Sequence, residues 1–134
     1  MRRLLLLGIL FTLAACGRDA VGPAPSSISG SYHLTMVDGH VLPFTVLDLG
    51  AYHAQVVSGT LTLNSDGTYD LEIGRRIDDS GNVTTGTDRD LGLWSVMDEA
   101  ITLASTQGGI SRTGTVSGDA ITLQSSTRVF VLRK

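Results

Sequence analysis

Thr60-Leu61-Thr62-Leu63-Asn64-Ser65-Asp66-Gly67-Thr68-Tyr69-Asp70-Leu71-Glu72-Ile73 decides the fold class. Leu61 and Leu63 fall on one side of an extended chain and Thr60 and Thr62 on the other. After the turn, Tyr69, Leu71 and Ile73 again share a side, opposite Asp70 and Glu72. This is period two, the signature of a strand with one dry and one wet face, and such strands belong to antiparallel sheets. Asp66-Gly67 between the two runs suits a tight hairpin, because glycine accepts the positive φ that such turns need.

Outward from this hairpin the same alternation recurs. In Tyr32-His33-Leu34-Thr35-Met36 the residues Tyr32, Leu34 and Met36 share a face, and Ile101-Thr102-Leu103 and Ile121-Thr122-Leu123 repeat the pattern. Gly118-Asp119 marks another hairpin, and further breaks fall at Asp79-Ser80-Gly81-Asn82, Met97-Asp98-Glu99 and Gln107-Gly108-Gly109. No window of about a dozen residues after Gly30 carries a 3.6-residue apolar period. Strands are predicted at 30–37, 52–64, 68–77, 83–90, 92–97, 100–105, 110–117, 120–125 and 127–133. The stretch 38–50 is expected to hold a short strand, a turn at Pro43 and a one-turn helix. Hairpin-linked strands in such number must pair as two sheets or close on themselves. Closure removes exposed edges, so the expected fold is all-β: an antiparallel up-and-down meander barrel of about eight strands.

A weak internal repeat supports the hairpin reading. Gly92-Leu93-Trp94-Ser95 followed by Ala100-Ile101-Thr102-Leu103 matches Gly114-Thr115-Val116-Ser117 followed by Ala120-Ile121-Thr122-Leu123. It is read as recurrence of one good hairpin solution.

Length and composition set the outer limits. The chain has 134 residues, 42% apolar, 17% charged and 5% aromatic, with sixteen Gly and three Pro. One domain accounts for it, and collagen, coiled coil and highly charged disorder are excluded. Residues 1–15 have the form of a secretory signal, with Arg2 and Arg3 ahead of the short apolar run Leu4 to Phe11. That run is too short to span a bilayer, which takes about 20 apolar residues. Loss of Arg2 and Arg3 with the signal changes the net charge from −3 to −5, with 8 basic against 13 acidic residues left. The balance argues against a nucleic-acid partner.

Leu13-Ala14-Ala15-Cys16-Gly17 resembles the lipobox of bacterial lipoproteins. The resemblance implies lipidation of Cys16, cleavage just before it, and attachment to the membrane through that lipid. It further implies a cell-envelope location, at the outer membrane facing the periplasm. Several acyl chains anchor a protein stably where one alone is marginal. Cys16 is the only cysteine, so a lipidated chain holds its fold without a disulfide. Residues 16–29, rich in Gly, Pro and small side chains after the cysteine, are expected to be a tether reaching roughly 20 Å, with residues 30–134 as the domain.

Several motifs together resemble small bacterial lipocalin-like lipoproteins: Gly30-Ser31-Tyr32 at the domain start, Gly59 to Leu63 leading to Asp66-Gly67-Thr68-Tyr69, Gly92-Leu93-Trp94-Ser95, and the closing Val129 to Arg133. Lipocalins carry Gly-x-Trp near the first strand. Here Tyr32 stands in that place and Trp94 lies far downstream. The resemblance implies a barrel and binding of a small ligand.

Candidate chemistry is sparse. His33, His40 and His53 have no recognised ligand spacing, and His33 falls on the wet face of its strand, so no metal site is expected. Asp78-Asp79-Ser80-Gly81-Asn82 offers oxygen ligands without the spacing of a calcium loop and is read as a solvated hairpin end. Asp88-Arg89-Asp90 is read as exposed charge, with the arginine as the residue that could turn inward. No Gly-x-Ser-x-Gly elbow or phosphate-cradling loop is present, so no catalytic residues and no cofactor are expected.

Two functions follow as expectations. The first is a non-catalytic binding module for a small apolar or amphipathic molecule, lined by Tyr32, Leu34, Met36, Tyr69, Leu71 and Trp94. Phe44 and Phe130 are expected in or around the same interior. The second is a structural or protein-interaction lipoprotein whose barrel is filled by its own side chains and which contacts an envelope protein through an edge or a loop such as 74–90.

Overall fold

The computed structural model describes residues 25–134. The expected signal peptide, Cys16 and most of the tether lie outside the described residues. The chain forms a one-turn helix α1 (Pro25–Ile28) and ten strands: β1 (Gly30–Val37), β2 (His40–Val41), β3 (Phe44–Asp48), β4 (Tyr52–Leu63), β5 (Thr68–Asp79), β6 (Asn82–Met97), β7 (Ala100–Ser105), β8 (Arg112–Ser117), β9 (Ala120–Gln124) and β10 (Val129–Arg133). Every pairing is antiparallel, in the order β2-β1-β10-β9-β8-β7-β6-β5-β4-β3, and β1 also pairs with β4. That last pairing, Gly30 opposite Leu63 to His33 opposite Thr60, closes an up-and-down barrel of eight strands. Beyond His33, β1 and β4 part. β2 continues on β1 and β3 on β4, so the insert 38–50 occupies the gap. It consists of two short strands around Pro43, and the expected one-turn helix is not there.

The alternation read from the sequence is the alternation of burial. Tyr32, Leu61, Leu63, Tyr69, Ile101, Leu103, Ile121, Leu123 and Leu132 are all 0–1% exposed and form one core. Burying each such side chain contributes about 1.5–3 kcal/mol, which lets the domain hold without a disulfide. Three local readings change. A bulge separates Leu34 from Met36 in β1, with the Thr35 hydroxyl donating to the Val131 carbonyl at 3.0 Å. The extra residue reverses the alternation, so Val37 is buried and Met36 is left half-exposed. Residues 83–90 and 92–97 are one strand, the 16-residue β6. Gly92, placed at the start of the second predicted strand, sits inside β6, where a Cβ would lie 2.1 Å from the Ala104 carbonyl oxygen and 2.6 Å from the Tyr69 ring. Gly114, its counterpart in the repeat, is held the same way, 2.0 Å from the Thr122 carbonyl oxygen. Lastly, Ile28, expected in the tether, is 4% exposed and accepts the Tyr32 hydroxyl on its carbonyl at 2.7 Å.

The two ends of the barrel differ. At the end where the described chain enters, α1 and the turns 64–67, 98–99 and 118–119 close it. At the other end β4, β5 and β6 run past their neighbours. β7 pairs with β6 only from Gly92 to Met97, whereas β5 pairs with β6 out to Asp79 opposite Asn82. The overshooting halves of β4, β5 and β6, with β3 alongside, make a four-stranded sheet that projects from the barrel. The segment 74–90, named as a contact loop although strands were expected at 68–77 and 83–90, is this sheet's long hairpin. Its tip turns through Ser80 and Gly81, both at positive φ, and Asp78 Oδ1 accepts the Gly81 N–H at 3.0 Å.

Candidate functional site: a filled interior and a projecting sheet

Of the residues expected to line a ligand, Tyr32, Leu34, Tyr69, Leu71 and Trp94 meet inside the barrel, and Met36 does not join them. They fill the space they enclose. The cavity between Leu34, Leu71, Ile73, Arg112, Leu123 and Phe130 measures about 20 Å³, the room of a single water. Phe44 and Phe130 pack against the core from its edge. Trp94 caps the entry end, its Nε1–H donating to the Asn64 carbonyl at 2.9 Å. Larger hollows lie outside the wall, one of about 400 Å³ along Thr68, Asp70, Arg89, Leu91 and Thr106 and one of about 340 Å³ beside Trp94 and the 65–67 turn.

Toward the far end the apolar interior gives way to one polar cluster. Asp90 Oδ2 accepts from the Tyr69 hydroxyl at 2.9 Å and from Arg112 Nη1 at 2.7 Å, and Oδ1 accepts from Ser105 Oγ at 2.6 Å. The Gly109 N–H donates in turn to Ser105 Oγ at 3.0 Å, tying the 106–111 loop to the cluster. Asp90 and Arg112 are 14% and 17% exposed, so the charges are desolvated but fully bonded. Burial works against ionised Asp90, and the donors Ser105, Tyr69 and Arg112 outweigh it, holding the carboxyl below the usual range. Tyr69 moves the other way: burial and the adjacent carboxylate push its phenol up to about 12. In Asp88-Arg89-Asp90 it is therefore the acid Asp90 that turns inward. Arg89 lies outside, paired to Asp70 and, at 3.6 Å, to Glu72, while Asp88 pairs with Arg75 at 2.6 Å.

A second clamp holds the insert. Asp38 accepts the Val129 N–H at 2.9 Å and Arg128 Nη1 at 2.7 Å, and Arg128 also donates to the Val46 carbonyl. The backbone donor Val129 leads in keeping Asp38 ionised below its ordinary range. Both clamps escape sequence reading because their partners stand 22 and 90 residues apart. The only local hint was an acid on the dry face of β6.

The histidines do not converge. His33 is within 3.5 Å of the Thr60 hydroxyl, His40 stacks on Phe44 with ring centroids 4.7 Å apart, and His53 pairs with Asp48 at 3.1 Å. Among the described residues no three His, Cys, Asp or Glu side chains are grouped to hold a metal ion. No described helix is long and apolar enough to cross a membrane. Of the exposed large apolar residues, Val41, Leu47, Leu49, Val57, Val83 and Ile110 lie toward the far end, 37–69% exposed, while Leu93 and Met97, 55% and 78% exposed, lie toward the entry end of β6.

Comparison with protein families, with curated proteins and with solved structures finds no match for this chain. The class it defines is that of a small eight-stranded antiparallel barrel, and the lipocalin resemblance holds at the level of that barrel.

Proposed function

We propose that this chain is a lipid-anchored envelope lipoprotein whose filled barrel is a protein-interaction module, and that it is not a carrier of small apolar molecules. The observation that carries this reading is the interior: about 20 Å³ between Leu34, Leu71, Ile73 and Phe130 admits no fatty acid or similar ligand. The direction of the chain supports it. A lipid on Cys16 would tether the end closed by α1, leaving the projecting sheet and its exposed apolar residues turned toward whatever lies beyond the membrane surface. Six of the eight exposed large apolar residues of the described chain lie toward that end, and such a concentration marks an interaction surface.

The test is to fractionate cells carrying the wild-type chain or Cys16→Ala, then take native masses and follow Trp94 fluorescence with added fatty acid. Expected are membrane attachment lost in Cys16→Ala, a native mass with no retained small molecule, and an unchanged Trp94 signal. A stoichiometric small molecule in the native mass overturns the interaction reading, and Cys16→Ala remaining with the membrane overturns the anchor.

A further inference from the structure

The projecting sheet has two outer edges, and they are not alike. The β3 edge is short and carries a bulge between Thr45 and Leu47; it follows Pro43, ends in Asp48, and the Val46 carbonyl is occupied by Arg128. These are the devices by which sheets blunt an edge against pairing. The edge of β6 from Val83 to Arg89 has no bulge and no proline, and its two charges, Asp88 and Arg89, are paired within the copy. It is regular along β5 with no shift of register, contains neither Pro nor Lys, and lies fully exposed. Leu91 accepts the Thr106 N–H on its carbonyl, so the backbone groups of Leu91 point away from β5. By alternation those of Val83, Thr85, Thr87 and Arg89 point the same way, and no strand meets them.

We infer that this edge pairs with the same edge of a second copy of the chain, antiparallel about a two-fold axis at Gly86. The inference deepens the interaction reading and rests on it. That register spans the whole free stretch, with Val83 opposite Arg89, Thr84 opposite Asp88, and Thr85 opposite Thr87 of the second copy. No like charges face one another, and threonine pairs are favourable cross-strand neighbours. The two charges on the edge are already matched within each copy, Asp88 by Arg75 and Arg89 by Asp70, so they do not repel across the axis. A register moved two residues toward Met97 sets Asp88 against itself. At the axis the two Gly86 residues meet, and a Cβ there meets nothing within 4 Å in the single copy. The result is one continuous eight-stranded sheet joining two barrels.

The test uses the full chain carrying Gly86→Cys, with a mild oxidant, the parent chain with Cys16 alone as the blank, and Leu93→Cys as an exposed site on the same strand away from the axis. Expected is a reducible species of twice the protomer mass from Gly86→Cys, well in excess of that from Leu93→Cys. In the Gly86→Cys background, Thr87→Pro removes one outward N–H donor from each copy and weakens pairing roughly 30-fold. Thr85→Asp with Thr87→Asp sets aspartate against aspartate twice across the axis while facing Arg76 and Gly74 on β5, and also abolishes the species. Equal yields from Gly86→Cys and Leu93→Cys, or a yield indifferent to both edge variants, overturns the pairing, including the case in which the edge serves a different extended peptide. Failure of the underlying interaction reading shows separately, as a small molecule retained in the native mass.

Discussion

The entry end of the barrel and its far end are stabilised by different physics. At the entry end α1 drops Ile28 onto Tyr32, short turns join the strands, and the interior is a continuous apolar packing. At the far end the strands are unequal, the sheet runs on, and what holds the rim is two charged clamps, Asp90 with Arg112 and Asp38 with Arg128. Apolar packing depends weakly on pH and salt; charged hydrogen bonds depend on both. The lesson is that one barrel can rely on apolar packing at one end and on charged hydrogen bonds to tie its strands at the other.

Removing the packing gives the largest expected effect. Leu103→Ala deletes an apolar side chain that is 0% exposed and is expected to cost about 3–5 kcal/mol in urea unfolding, unchanged between low and high salt. A salt-sensitive loss would break the contrast between the ends. Tyr32→Phe, which removes only the bond to Ile28, is expected to cost about 1 kcal/mol.

The Asp90 cluster comes next. Asp90→Ala leaves Arg112 charged and unpaired and strands the Tyr69 and Ser105 hydroxyls, at a cost of about 3 kcal/mol. Its pH signature has two limbs. Asp90 and Asp38 titrate lower folded than unfolded, as does the fully exposed Asp66 of the entry-end turn, so their stabilisation is present above about pH 4 and lost as pH falls through the folded values, the two partly buried clamps carrying most of it. Tyr69 titrates higher when folded, at about 12, so its contribution is complete below about pH 10 and lost as pH rises from there toward 12. Hydrogen exchange at pH 3 is expected to show the far-end strands opening before the entry end. Tyr69→Phe should remove the alkaline limb and leave the acid one; an alkaline limb that persists would place its origin elsewhere.

The insert gives a smaller effect than the Asp90 cluster. Asp38→Ala is expected to cost about 1.5 kcal/mol and to raise exchange in β2, β3 and the 125–128 turn, with the Tyr32 core protected as before. Equal loosening of both ends would show that the insert and the core unfold as one unit.

Much of the barrel was legible residue by residue. Period two put Tyr32, Leu34, Leu61, Leu63, Tyr69, Leu71 and the two Ile-x-Leu units on buried faces, because burial on one side of a pleat is a local property of a strand. Met36 was misplaced because a bulge costs one residue of register, and its cause, the Thr35 bond to Val131, lies 96 residues away. The break between 90 and 92 was misplaced, since the reason for glycine at 92, the closeness of Ala104 and Tyr69, exists only once β5, β6 and β7 are side by side.

The sequence by itself determined that this chain is antiparallel sheet, where most of its hairpins turn, and which side chains seek the interior, since alternation and turn chemistry act over a few residues. Tertiary structure alone decided that β1 closes on β4, that the enclosed space is filled, and that Asp90 and Arg112 meet across the rim. It also decided that β6 outruns β7 and leaves an unpaired edge. Whether a backbone N–H has a partner depends on the length of the neighbouring strand, and no pattern within a strand records how far its neighbour extends.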